Sequence, residues 1–107
     1  MKVDVIQLME FFDEMTPLTE EEQGMYWFKT RRPDGITITL ALSIYESSAD
    51  LIVQTKDQTD VTGISMKNCS EIRIVDAKRK CLEITHDSLL NRCFLSLLEG
   101  TILKYEE

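Results

Sequence analysis

The chain has none of the short motifs that announce a chemistry. There is no glycine-rich phosphate loop, no dinucleotide fingerprint, no H-E-x-x-H pair and no calcium-loop spacing. Cysteine is sparse and odd in number: Cys69, Cys81 and Cys93 stand twelve residues apart with no C-x-x-C among them. That spacing argues against a disulfide framework and against a structural zinc site, and it leaves reduced thiols as the simplest account. No window holds the roughly eighteen apolar residues that a membrane helix needs. The opening Met1-Lys2-Val3-Asp4 puts an acid where a secretory signal would be apolar. The expectation is a cytoplasmic protein with no membrane contact. Four glycines and two prolines leave no linker or low-complexity tract.

What is present is ordinary globular composition, with 43% apolar and 29% charged residues over 107 positions. That suits one α+β domain spanning residues 1–107. The net charge of −7 is unevenly spread: residues 1–24 hold seven acids and one base, the remainder twelve acids and eleven bases. An acidic leading segment repels nucleic acid and favours a basic protein partner, although solubility alone also accounts for it.

The residues after Asp4 read as a helix. Asp4 caps it with Gln7 three positions on, and Val5, Leu8, Met9, Phe12 and Met15 form one apolar stripe. Pro17 and the acids after it end this helix, and Thr19 with Glu22 can cap one further turn before Gly24. From Met25 the period changes to two. Ile36, Ile38, Leu40, Leu42 and Ile44 alternate with polar or small residues, and Arg32-Pro33-Asp34-Gly35 is a turn with proline at its corner.

Chaining turns at 32–35, 47–48, 58–59, around 69 and around 78 gives a six-stranded antiparallel meander. Its registers set Phe28 against Leu40, Leu42 against Val53, Leu51 against Met66, Met66 against Ile72 and Ile72 against Ile84. All the apolar residues then share one face. Residues 88–99 fit a C-terminal helix through Leu90, Cys93, Phe94, Leu97 and Leu98, and equally a seventh strand with Cys93, Leu95 and Leu97 on one side. The helix is the preferred alternative, packed with the sheet, because a single layer cannot bury its own apolar face. Thr101 to Tyr105 can add a short edge strand.

Three places carry candidate function. The first is the outer sheet face, where Met25, Trp27, Tyr45 and Ile52 surround small residues, with Ile52 set beside Ser43. Aromatic and methionine residues outside a core are typical anchors of protein interfaces. The alternative is that the C-terminal segment covers this patch as a second small core. The acid run Glu20-Glu21-Glu22 belongs with this site as a steering element, or is a solvated turn.

The second is a set of basic hairpin tips, Arg31-Arg32, Lys56 and Lys78-Arg79-Lys80, with interleaved acids and no stacking aromatics among them. Nucleic acid is therefore not an expected partner. The third is Cys69 beside His86, the skeleton of an activated thiol without an evident oxyanion site. No catalytic residue, cofactor or metal ligand is assigned.

Three stretches together resemble a known kind of protein: Thr30-Arg31-Arg32-Pro33-Asp34-Gly35-Ile36-Thr37-Ile38, Asn68-Cys69-Ser70-Glu71-Ile72-Arg73-Ile74, and Gly100-Thr101-Ile102-Leu103-Lys104-Tyr105-Glu106-Glu107. The chain is similar in these to small uncharacterised bacterial proteins, some of which look like immunity partners of secreted toxins. The resemblance carries over no site residue. It implies a non-enzymatic module that acts by binding and occluding another protein, with self-association through the sheet face or edge as the alternative.

Overall fold

The computed structural model describes residues 1–17, 24–57, 60–86, 91–98 and 103–106. Its first element after the two-residue strand β1 (Lys2–Val3) is the helix α1 (Val5–Phe11). The capping aspartate does what its position suggests: Asp4 Oδ1 accepts the Gln7 amide at 3.0 Å. The helix stops earlier than the apolar stripe. Phe12 is already extended, and Met15 lies in strand β2 (Glu14–Pro17), paired with β3. Leu8 and Phe11 are the helix's buried residues, and Phe12 follows them into the core against Phe28, ring centroids 5.5 Å apart. Seven residues are too few to stand alone, so burial of this face holds the helix.

Two sheets follow, not one meander. Strands β3 (Met25–Arg31), β4 (Thr37–Ser43), β5 (Ser48–Gln54) and β6 (Asp60–Met66) join β2 in sheet I, ordered β2-β3-β4-β5-β6. Strands β7 (Glu71–Asp76), β8 (Cys81–His86), β9 (Asn91–Ser96) and β10 (Leu103–Glu106) join β1 in sheet II, ordered β1-β7-β8-β9-β10. All pairings are antiparallel except β1 with β7.

The meander fails between β6 and β7. Met66 and Ile72 do not pair. Asn68 takes a left-handed conformation at φ 54°, which asparagine tolerates, and the Cys69 amide donates to Ser47 O at 2.8 Å. The chain thus leaves sheet I at Met66 and begins sheet II at Glu71.

The outer registers match the alternation. Phe28 faces Leu40 and Ile72 faces Ile84. The two middle registers slide by even steps. Leu42 pairs with Ala49 rather than Val53, and Leu51 with Ile64 rather than Met66. The first slide follows from a four-residue connection, residues 44–47, in place of a two-residue turn, with Ser47 at φ 51°. Even slides keep every side chain on its face, which is why alternation alone could not detect them. The turn expected at residues 58–59, the further cap at 19–22 and the helix stop at Gly100 lie outside the described residues.

The C-terminal helix is likewise corrected. Residues 91–96 are strand β9, with Cys93, Leu95 and Leu97 buried, and β10 pairs alongside it. The layer that covers sheet I is another sheet. Phe28, Ile38, Leu40, Leu42 and Leu51 from one side meet Leu82, Ile84, Cys93 and Leu95 from the other in one core. Full burial of each such side chain contributes about 1.5–3 kcal/mol.

One polar strut crosses this core's margin. Arg32, only 4% exposed, reaches from the β3–β4 turn to Ser96 O at 3.1 Å and pairs with Asp34 at 3.1 Å. The turn itself is closed by Gly35 donating to Arg32 O, with Gly35 at φ 88°.

Candidate functional site

Alternation along β3 sends Phe28 and Thr30 inward and leaves Trp27, Lys29 and Arg31 exposed on the outer face of sheet I. Trp27 stands opposite Ala41, and beyond Ala41 opposite Asp50 and Ser65. The next row is Glu14, Lys29, Thr39, Ile52 and Gly63. A depression of about 190 Å³ lies between the rows, lined by Glu14, Trp27, Lys29, Thr39, Ile52 and Gln54. Trp27 is 47% exposed beside it, and Thr39 is its buried floor.

Of the four sheet residues expected here, the structure brings Trp27 and Ile52 together. The neighbour of Ile52 is Thr39 rather than Ser43, because of the slide between β4 and β5. Met25 is half-buried two positions from Trp27, opposite Ser43. Tyr45 is displaced from the patch. It sits in the β4–β5 connection with its ring against the Gly24 backbone, 2.7 Å from where a Cβ would stand. Glu20, Glu21 and Glu22 lie outside the described residues. The C-terminal strands belong to sheet II, so among the described residues they do not form a second core over Trp27.

The turns group Arg31 with Lys56 as basic tips, and the structure brings these two together; Lys29 and the closeness of all three to Trp27 are not expected from the turns. A second cleft, about 230 Å³, adjoins it through Glu14 and Lys29 and is lined also by Asp13, Thr30, Arg31, Thr37 and Lys56. Period-two alternation from Trp27 places Lys29 and Arg31 on the same face, a signal that treating Arg31 as a turn residue hid. Lys56 arrives by tertiary contact, its side-chain carbons packed 3.7–3.9 Å from the Cβ position of Gly35. Asp13 holds the cleft's rim: its Oδ2 accepts the Thr30 hydroxyl at 2.6 Å and the Arg31 amide at 3.3 Å. Arg32, read as a free hairpin-tip base, is instead the buried strut.

The cysteine–histidine pair does not form an open site. Cys69 and His86 are 3% and 2% exposed, and the Cys69 thiol donates to Met66 O at 3.6 Å. Cys81 lies half-buried on β8, on the face opposite Leu82 and Ile84, with its thiol against Arg79 O. Burial raises the Cys93 thiol to about 11, and the neighbouring Cys69 sulfur adds to the rise. These thiols pack as small hydrophobes. Among the described residues no three His, Cys, Asp or Glu side chains converge as a metal site, and no helix is long and apolar enough to cross a membrane.

The outer face of sheet II has a different character. Arg73 donates through Nε and Nη2 to Glu83 Oε2 at 3.1 and 2.9 Å, and Lys2 pairs with Glu71 at 3.6 Å. Glu83 is 4% exposed, held between Arg73 and Phe94 in the ladder.

Compared with protein-family models, curated proteins and solved structures, the chain matches none.

Proposed function

We propose that this protein is a non-enzymatic interaction module that binds a partner protein through the outer face of sheet I and occludes the partner's surface. One observation carries the reading. Trp27, the only tryptophan, is half-exposed beside Ile52 on a strand face where core packing does not require it. Such an amphipathic ring with an apolar neighbour and a polar rim is the usual composition of an interface anchor. The acids of residues 1–24, Glu20, Glu21 and Glu22 among them, steer the encounter with basic groups of the partner.

The reading agrees with what the resemblance to immunity-type proteins implies. A capture experiment from the cytosol of the encoding organism tests it, comparing wild type with Trp27→Ala and with a Glu20/Glu21/Glu22→Gln triple variant. Loss of a specific partner with Trp27→Ala is the expected result. Equal recovery by all three proteins removes both surfaces.

Self-association is the second reading, favoured by the free edge of sheet I. Strand β6 is seven residues long, pairs only with β5 among the described residues, and carries no proline. By contrast β2 is four residues with Pro17, β1 two and β10 four. Light scattering over a hundredfold concentration range separates the two readings. A constant monomer mass excludes self-association.

A further inference from the structure

We infer that the groove running along β3 receives an extended acidic peptide segment of the partner, with an apolar side chain on Trp27 and Ile52 and carboxylates on Lys29, Arg31 and Lys56. The inference rests on the reading that the outer face of sheet I binds protein, and it specifies the chemistry of what binds.

Three observations carry it. The two depressions adjoin, sharing Glu14 and Lys29 in their linings, so the apolar end and the basic end lie side by side along β3. Lys29, Arg31 and Lys56 are exposed and none of them makes an ion pair among the described residues, in a chain with nineteen acids to twelve bases. Lys67, Lys78, Arg79 and Lys80 also make no ion pair among the described residues; what sets Lys29, Arg31 and Lys56 apart is that they line one cleft. Glu14 stands opposite Lys29 in the ladder and still does not pair with it, while Asp13 is occupied by the Thr30 hydroxyl and the Arg31 amide.

Spacing is the third. Trp27, Lys29 and Arg31 recur every second residue, about 6.6–6.8 Å apart, which is also the repeat of alternate side chains in an extended peptide. A segment with an apolar residue followed by acids at the second and fourth positions after it meets all three in register. The three bases and two acids of the basic cleft leave it at +1 while the chain as a whole is −7.

Nucleic acid also has charge for the bases and a ring for Trp27. It would bring a charge at every nucleotide against Asp13, Glu14, Asp50 and the −7 of the whole chain. The peptide brings two carboxylates and an apolar side chain for Ile52, so a peptide is favoured. The acid run before Met25 and the bases toward Arg31 stand at opposite ends of β3 in the sequence, so they address different parts of one partner.

Trp27 is the sole tryptophan, so its emission reports occupancy directly. The probe is the peptide acetyl-Gly-Leu-Ser-Glu-Ser-Glu-Gly-amide, with a version carrying lysine for glutamate and a ten-nucleotide oligothymidylate as competitors. The expected result is a saturable blue shift with the glutamate peptide. Its affinity falls about tenfold or more in Lys29→Gln/Arg31→Gln/Lys56→Gln and is unchanged in Lys78→Gln/Arg79→Gln. In the unmodified protein, raising salt from 50 to 500 mM weakens binding, which tests the charges without any substitution.

Equal binding of the lysine peptide, tighter binding of the oligonucleotide, or no emission change with the glutamate peptide overturns the inference. If Trp27→Ala still abolishes partner capture in those cases, the protein-binding face stands and only its proposed occupant is wrong. If capture is indifferent to Trp27, the face itself is removed.

Discussion

The two outer faces of the sandwich are built from the same pleat and meet opposite fates. On sheet II the charged residues answer one another across the ladder. Arg73 chelates the buried Glu83 with two nitrogens, and Lys2 reaches Glu71. On sheet I a tryptophan and an isoleucine are half-exposed beside three bases that make no ion pair among the described residues. The first face is electrostatically closed within the chain. The second leaves its groups to be satisfied from outside. Exposure alone does not mark a binding surface; exposed groups without internal partners are the better guide.

Breaking the closed face gives the largest expected effect. Arg73→Met leaves the Glu83 carboxylate buried without its cation, and removal of one member of a buried pair costs about 3–5 kcal/mol. The Arg73 side chain is 58% exposed, so solvent returns part of this, and about 2 kcal/mol is expected. Urea unfolding measures it. A midpoint equal to wild type would show that the Glu83 pairing is not part of the fold's stability.

The core shared by both sheets gives the next effect, through pH. The Cys93 thiol is raised from 9.0 to about 11 in the folded protein, chiefly by burial. Above pH 9 the unfolded chain releases this proton while the folded chain keeps it. Stability is therefore full below pH 9 and falls between pH 9 and 11, with about 1.4 kcal/mol lost at pH 10. Thermal midpoints of wild type and Cys93→Ala across this window isolate the contribution. Parallel curves would place the thiol's titration outside folding.

The smallest effect is expected on the open face. Trp27→Ala removes a half-exposed ring and should cost about 1 kcal/mol or less, while the proposed partner binding is expected to be lost. A loss as large as that of Arg73→Met would mean the ring is a structural element, and the contrast between the faces would collapse.

Part of this was legible beforehand. Asp4 with Gln7 announced the helix start, and the alternation from Met25 to Ser43 announced β3 and β4 in their observed register. The pairing of Ile72 with Ile84 was equally readable. At the candidate site, Trp27 was found from its alternation against Phe28. Arg31 and Lys56 were grouped from the turns as basic tips, but Lys29 was not added to them and their place beside the Trp27 face was not seen, since that depends on how the Lys56 stem packs beside Gly35. Tyr45 was misplaced for a related reason: a longer connection between β4 and β5 turned it away from the strand face.

By itself the sequence determined which residues avoid water. Period two along each strand assigns sides, and side assignments survive even register slides, so Leu42 is buried whether Ala49 or Val53 stands opposite. Tertiary structure alone decided how those sides are combined. Residues 91–96 have a pattern that suits helix or strand, and pairing with β8 made them strand. The turn at Asn68 and Cys69 suits a hairpin or a crossing, and the crossing won because a second sheet supplies the layer that one apolar face requires. Local pattern fixes polarity residue by residue. Which surfaces meet depends on contacts between residues far apart in the chain, and that choice made sheet II a closed surface and left the Trp27 face open.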